Sequence, residues 1–419
     1  MKVFKFGGAS VKNAEAVRNL GKIVNDYTNE PLIVVVSAMG KTTNKLEQIC
    51  EAYFKKDCRY LQFFDELKQF HWEICTQLFA EPENELPYYL DILDQIASKL
   101  QTEPSLNYNF EYDQIVSFGE LMSTSIISTY LRTIGVENRW IDIRKGLRTN
   151  NKYREASVDF QVSEELIKEI FDLRSKSIFV TQGFIAADMN NLSTTLGREG
   201  SDYSGALLAY FLDTESYTVW KDVPGVLNAD PKWFDDTELI EQMNYTDAIE
   251  LAFYGAGVIH PKTIQPLKRK EIPLFVRSFI DASKKGTEIG SIVVEKSIPS
   301  FIFKVEQVLL EICPYDLSFI DEENLQHIFS ILSEYGLKIN FMQNTAVNFK
   351  VCTNKDTYII DKVISELESQ YQINKLVGLE LITIRHYDNE TIQRVLIGKE
   401  VILEHRSPRT IQMVVKPLK

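Results

Sequence analysis

Met1-Lys-Val-Phe-Lys-Phe-Gly-Gly-Ala-Ser10 opens the chain and decides how the rest of its 419 residues is read. Val3 to Phe6 alternate apolar with polar and stop at Gly7-Gly8. From Lys12 the apolar residues move to helical spacing, so the stretch reads as strand, glycine turn, helix. Glycines at a strand end let backbone N–H groups approach an anion, and the next helix adds the positive end of its dipole. Lys5 can send its ammonium over the same point. The same residues also make an ordinary turn between strand and helix. They are not a Walker A loop, which needs Gly-x-x-x-x-Gly-Lys-Ser/Thr.

The pattern then repeats. Leu32-Ile33-Val34-Val35-Val36 is a continuous apolar run, as in a strand buried on both faces of a parallel sheet. It empties into Ser37-Ala38-Met39-Gly40-Lys41-Thr42-Thr43-Asn44, a small polar loop at the strand's carboxyl end, where open α/β sheets bind ligands. Residues 45–114 are acidic, aromatic-rich and helically patterned, and read as a helical insertion. Gln114 to Glu120 reads as a short strand entering a helix. Trp140–Ile143, Ser177–Thr181 and Tyr217–Trp220 are further short strands. Strands alternating with helices predict an α/β fold with a doubly wound, mostly parallel sheet.

The segment richest in candidate chemistry is Thr194-Thr195-Leu196-Gly197-Arg198-Glu199-Gly200-Ser201-Asp202-Tyr203, followed by the helical run from Ala206. A loop of hydroxyls and glycines carrying Arg and Asp just before a helix N-terminus is a second anion-binding construction. Lys221-Asp222-Val223-Pro224-Gly225 closes the next strand.

The formal charge of −13 argues against nucleic acid as a main partner. It also means that local lysines, arginines and helix ends must hold any phosphate-bearing substrate. No run approaches the ~20 apolar residues of a membrane span, so no membrane partner is expected. The charged N-terminal strand is not a signal peptide. Cys50, Cys58, Cys75, Cys313 and Cys352 are scattered, without metal or disulfide spacing, which predicts a cytoplasmic protein with no bound metal of its own.

Ile298-Pro299-Ser300 marks a change of character, giving a catalytic domain over 1–297 and a second region over 298–419. The second region reads as strand 305–312, helix 325–335, strands 338–342 and 346–352, helix 358–367 and strand 379–385. That βαββαβ order is a ferredoxin-like unit. A shorter, less regular piece follows, with strands near 401–404 and 410–415.

Taken together, Lys5-Phe6-Gly7-Gly8-Ala9-Ser10, Ser117-Phe118-Gly119-Glu120-Leu121-Met122-Ser123, the 194–203 stretch, Asp222-Val223-Pro224-Gly225 and His260-Pro261 resemble aspartate kinase, of the amino-acid kinase superfamily. The resemblance covers essentially the whole chain. It implies the amino-acid kinase fold with C-terminal ACT-type units, the second of them shortened. It implies transfer of the γ-phosphoryl of Mg-ATP to the β-carboxylate of L-aspartate, opening the route to lysine, threonine and methionine. ATP and Mg²⁺, the metal held mainly by the ATP phosphates, are the implied cofactors. An end-product amino acid as effector and a homodimer or larger assembly through the ACT-like region are the implied partners. No homoserine dehydrogenase segment follows Lys419, which implies a monofunctional kinase.

The chemistry fits the residues. A carboxylate acceptor, with a pKa near about 4, arrives deprotonated and needs no general base. Positioning and charge neutralisation around a loose transition state remain. By the resemblance, Lys5 and Asp202 are the catalytic residues. Ser37, Thr43, Glu120, Thr195 and Arg198 hold aspartate, with Arg198 on a carboxylate and Glu120 on the ammonium. Gly7, Gly8, Ser10, Lys221, Asp222 and Gly225 frame ATP. Replacing Lys5 with Ala is expected to cost orders of magnitude in turnover and little stability. The chain departs from the family's usual pattern at Ala9, Phe118 and Gly257, the last standing where a lysine thought to reach ATP is common. Lys221 or Lys262 would then supply the lost charge. Two other readings share these residues: another kinase of the superfamily, and a catalytically silent paralogue that binds amino acids as a sensor.

Overall fold

A computed structural model describes residues 1–171, 177–257, 259–294 and 297–418. Val258 before the His-Pro turn, Glu295 near the domain boundary and Lys419 lie outside them. The chain gathers into two compact units, one of residues 1–226, 239–249 and 258–294, the other of 227–238, 250–257 and 295–419. Two stretches that the sequence reading gave to the catalytic domain, 227–238 and 250–257, therefore cluster with the C-terminal unit.

The first unit is built on an eight-stranded sheet. Its strands are β1 (Lys2–Phe6), β2 (Leu32–Val36), β3 (Asn138–Ile141), β4 (Ile178–Gln182), and, after the separate hairpin β5 (Ile185–Ala187) and β6 (Ser193–Thr195), β7 (Ser216–Lys221), β8 (Gln242–Asn244), β9 (Leu274–Ser278) and β10 (Thr287–Gly290). The order is β3-β4-β2-β1-β7-β9-β10-β8. Every pairing is parallel except β9 with β10. β1 is central because it can be: Val3, Phe4 and Phe6 are buried, and all five residues of β2 beside it are too. Lys5 pairs in register with Val35 on one side and Val219 on the other. The carboxyl ends of β1, β2 and β7 thus deliver Gly7-Gly8, Ser37–Gly40 and Lys221 to one edge of the sheet, where parallel sheets place their ligands.

Residues 42–116 are helical: Thr42–Phe54, Arg59–Leu78, a single turn Pro82–Glu85, Pro87–Leu100 and Tyr108–Val116. The expected strand at Gln114 is a helix instead. Asn107 caps it, accepting from the amides of Asn109 and Phe110. Ser117 keeps helical dihedrals and leads straight into the next helix, Phe118–Thr133. Ile115 and Val116 are buried on a helix face; two β-branched residues were too short a run to tell strand from helix.

In the second unit, β11 (Ser300–Pro314), β12 (Ile339–Asn344), β13 (Phe349–Asn354), β14 (Tyr371–Arg385), β15 (Lys399–Arg406) and β16 (Thr410–Pro417) form one sheet in the order β12-β13-β11-β14-β16-β15. β11, β12, β13 and the first half of β14, with helices Glu322–Glu334 and Thr357–Leu367, make the ferredoxin-like unit. Val308, Leu310 and Ile312 bury their faces against Ile328, Ile331, Ile360 and Val363 of those helices. The first residues of β11, the last of β14, helix Asn389–Val395, β15 and β16 form the shorter unit. Its sheet face, Phe301, Ile382, Ile411 and Met413, is covered by Ile392 and Val395, and by Ala229 and Phe234 from the 227–238 stretch. Arg394 grips Asp236 through both carboxylate oxygens, at 2.6 and 2.8 Å.

Candidate active site

Lys5 leaves the buried strand β1 toward the helix Gly200–Phe211, whose first turn carries Asp202. The Lys5 ammonium pairs with Asp202 Oδ1, and Lys221 Nζ, from the end of β7, lies 3.3 Å from Asp202 Oδ2. Lys5 and Asp202 are 7% and 1% exposed, so the pair is desolvated. Burial would push the Asp202 carboxyl up, but the charges of Lys5 and Lys221 hold it below the usual carboxylate range. The result is a fixed cluster of two cations and one anion at a helix N-terminus, a place that favours a further anion. The expected stability of Lys5→Ala changes accordingly. Without Lys5 the buried Asp202 keeps only Lys221. A cost of about 1–3 kcal/mol follows, below the 3–5 of a fully broken buried pair.

Lys5 and Asp202 line a cavity of about 280 Å³ whose wall also includes Gly8, Ser37, Thr43, Glu120, Gly197 and Ser201. Gly8 is required by packing: a Cβ there would lie 2.9 Å from the Ala38 carbonyl oxygen and 3.0 Å from that of Gly40. The Gly40 amide donates to the Gly8 carbonyl at 3.0 Å, tying the two loops together. Glu120, in the first turn of helix Phe118–Thr133, accepts from the Ala38 amide through Oε1 at 3.2 Å. Its Oε2 is buried and makes no hydrogen bond. Burial pushes the Glu120 carboxyl up to about 8, against the pull of the Ala38 amide and of Lys5. A buried acid with one oxygen unmatched, at the wall of a cavity, is a site awaiting a donor.

Arg198 stands one cavity further on. It lines a neighbouring space of about 590 Å³ with Tyr112 and Arg154, and the two spaces share Thr43, Phe184 and Gly197. The loop that carries Arg198 is held at both ends. The Leu196 amide donates to the Phe184 carbonyl at 2.9 Å and the Gly200 amide to the Gly197 carbonyl at 3.0 Å.

Four expected residues stand elsewhere. Thr195 is fully buried, and its amide and hydroxyl both donate to Asp113, each at 2.8 Å, so its hydroxyl is spent on the protein itself. Ser10 turns its hydroxyl to the Trp220 carbonyl, at 3.5 Å. Gly225 is buried, and a Cβ there would meet Leu239 and Thr287 at 2.7 Å, so its smallness serves packing. Asp222, beyond the end of β7, is exposed. Gly7 sits beside Lys5, its would-be Cβ 3.5 Å from Nζ. Of the two lysines weighed against Gly257, Lys221 reaches the Asp202 cluster. Lys262 donates to the Leu196 carbonyl at 3.1 Å and lies 4.6 Å over the Tyr203 ring.

Phe184, Asp113 and Arg154 were not singled out by the sequence. Phe184 and Arg154 hold left-handed backbone, at φ 66° and 72°, which no side-chain pattern announces. Asp113 sits in a stretch read as helical, and its partners lie 41 and 82 residues away. Among the described residues no three His, Cys, Asp or Glu side chains converge to hold a metal, and both Asp202 oxygens face lysines. No helix among the described residues is long and apolar enough to cross a membrane.

Residues 1–278 match the amino acid kinase family. Lysine-sensitive aspartokinase 3 of Escherichia coli strain K12 is 30% identical over 98% of this chain and 92% of its own. Crystal structures of E. coli aspartokinase III superpose over 99% of this chain and 96% of theirs, at 26% identity. The TM-score is 0.84 for the complex with lysine and aspartate and 0.81 for the complex with aspartate and ADP. With the glycine turn, the buried lysine–aspartate cluster and the ferredoxin-like C-terminal unit in place, the chain belongs to the amino acid kinase family, among its aspartokinases.

Proposed function

We propose that the protein phosphorylates the β-carboxylate of L-aspartate with Mg-ATP and that the cavity beside Lys5 and Asp202 is where it does so. A β-carboxylate oxygen attacks the γ-phosphorus, the bond to the β–γ bridging oxygen breaks, and ADP leaves with that oxygen and its electron pair. No proton moves, so no general base is needed. What the chain contributes is charge and position. Lys5 and Lys221 neutralise charge on the phosphoryl oxygens in flight, and Asp202 holds both lysines at one spacing. The amides around Gly8 and the N-terminus of helix Gly200–Phe211 face the same charge. Glu120 takes the substrate ammonium through its unmatched oxygen, and Arg198 takes a carboxylate as a bidentate partner. Ser37 and Thr43 line the space between. Magnesium enters as part of the nucleotide substrate, bound by its phosphates.

The single observation that carries this reading is the buried Lys5–Asp202 pair, with Lys221 on the second Asp202 oxygen, lining the same cavity as Glu120, whose Oε2 is unmatched. Family membership chooses aspartate among acidic amino acids. The C-terminal unit is taken to bind an end-product amino acid and to pair subunits in a cytoplasmic enzyme. Lysine is the first effector to add, since the E. coli relative is lysine-sensitive by name.

The test is ADP release with Mg-ATP and L-aspartate, L-glutamate or no acceptor, the acyl phosphate being trapped as hydroxamate. Aspartate-dependent hydroxamate is the expected result. A folded protein that binds ATP yet gives none would overturn the reading in favour of a silent sensor.

A further inference from the structure

We infer that Asp113 is the positioning residue that fixes the distance between the two anchors of the acidic substrate, Glu120 and the Arg198 loop, and so sets which amino acid the pocket accepts. The inference rests on the proposed function and concerns a residue outside the cavity.

Asp113 is fully buried in the last turn of helix Tyr108–Val116. Its Oδ1 accepts from the Thr195 hydroxyl at 2.8 Å and the Arg154 amide at 3.1 Å. Its Oδ2 accepts from the Thr195 amide at 2.8 Å and the same Arg154 amide at 3.0 Å. The next residue grips the same hairpin: Gln114 donates to the Ser193 carbonyl at 2.8 Å and accepts from its amide at 3.2 Å. Two consecutive side chains thus hold β6 by its backbone. Charge-assisted bonds of this kind are about twice as strong as neutral ones and lose much of their strength when a donor faces a donor.

What lies on either side of this clamp gives it its meaning. Glu120 follows Asp113 by seven residues, two helical turns, with only Ser117 between the two helices. Arg198 follows Thr195 by three, and the Leu196 amide between them is bound to the Phe184 carbonyl. The ammonium anchor and the carboxylate anchor therefore belong to segments joined at Asp113. The third partner supports this. Arg154 is held at φ 72°, a left-handed conformation that is strained for a non-glycine residue, with its amide aimed at both Asp113 oxygens. Its guanidinium lies 4.4 Å over the Tyr112 ring, at the wall of the cavity that Arg198 lines. Aspartate and glutamate differ by one methylene, so a shift of about 1 Å between anchors is enough to change the choice.

Asp113→Asn keeps the shape and sets an NH₂ against an amide donor. We expect the KM for aspartate to rise at least tenfold while that for Mg-ATP stays within twofold. The preference for aspartate over glutamate in kcat/KM should fall at least fivefold. Gln114→Ala loosens the same hairpin without touching a buried charge, and should raise the aspartate KM about threefold in the same pattern. If Asp113→Asn does not fold, Gln114→Ala decides alone. An aspartate KM within twofold of wild type in the folded variants would overturn the inference. So would KM values for aspartate and Mg-ATP that rise together, the mark of general loosening. Both variants are compared with wild type on the acidic amino acid it phosphorylates. A wild type that phosphorylates none overturns the proposed function instead.

Discussion

The two halves of the proposed site, one for the phosphoryl group and one for the amino acid, are built on opposite plans. On the phosphoryl side, Lys5, Asp202 and Lys221 satisfy one another before any substrate arrives. On the amino-acid side, Glu120 keeps one buried oxygen unmatched, and Arg198 stands exposed on a loop. Charge that must stabilise a transition state works best when it is fixed in advance, because nothing then reorganises at the moment of transfer. Groups that recognise a ligand gain affinity by being completed by it. The division predicts that substitutions on the phosphoryl side spare aspartate binding and those on the amino-acid side impair it.

The largest effect belongs to Lys5. Lys5→Ala should lower kcat by about 10²–10³, the range for removing one fixed electrostatic donor, and leave the aspartate KM within a few fold. Steady-state kinetics separate the two. A large rise in aspartate KM at unchanged kcat would erase the distinction between the halves. Glu120→Gln comes next. The amide replaces an ionic partner of the substrate ammonium with a neutral one, at about 1.5–3 kcal/mol, so the aspartate KM should rise roughly 10- to 100-fold.

That variant should also be more stable when empty. The carboxyl of Glu120 is raised from near 4.5 to about 8 in the folded protein. As pH climbs from the unfolded value toward the folded one, the unfolded chain loses a proton that the folded chain keeps, and stability falls across that window. Glu120→Gln removes this slope, and thermal unfolding between pH 5 and 8 would reveal it. The smallest effect is Lys221→Met. Lys221 is the outer of the two lysines on Asp202, at 3.3 Å, and half-buried. A rise of about three- to tenfold in the ATP KM is expected; an unchanged value would remove Lys221 from the phosphate site.

The two sides also differed in how legible they were. Lys5, Gly8, Asp202 and Glu120 sit beside glycines or on short strands and helices whose local motifs carry the family resemblance, and the structure brings all four to one cavity wall. The residues that position the amino-acid side are joined across the chain. Asp113 reaches Thr195 over 82 positions, and no periodicity records such a bond. Thr195 looked like a pocket hydroxyl because a hydroxyl's partner cannot be read from its neighbours. The same limit misplaced residues 227–238. Trp233 and Phe234 sit in a turn-rich stretch, yet Trp233 stacks on Phe303, and Phe234 meets Phe303 edge-on and lies tilted against Phe301, in the C-terminal unit. Apolar patterning tells that a residue is buried but not which core receives it.

The most direct test of the contrast between the halves is calorimetric titration of L-aspartate into the wild-type protein at pH 7, repeated in buffers of different ionisation enthalpy. With its carboxyl near 8 in the empty pocket, Glu120 is mostly protonated at that pH. The arriving ammonium requires the charged form, so binding should release a proton from Glu120, and Glu120→Gln should release none. Binding of aspartate by wild type with no proton release would contradict the account, because Glu120 would then be ionised beforehand and the amino-acid side as fixed in advance as the phosphoryl side.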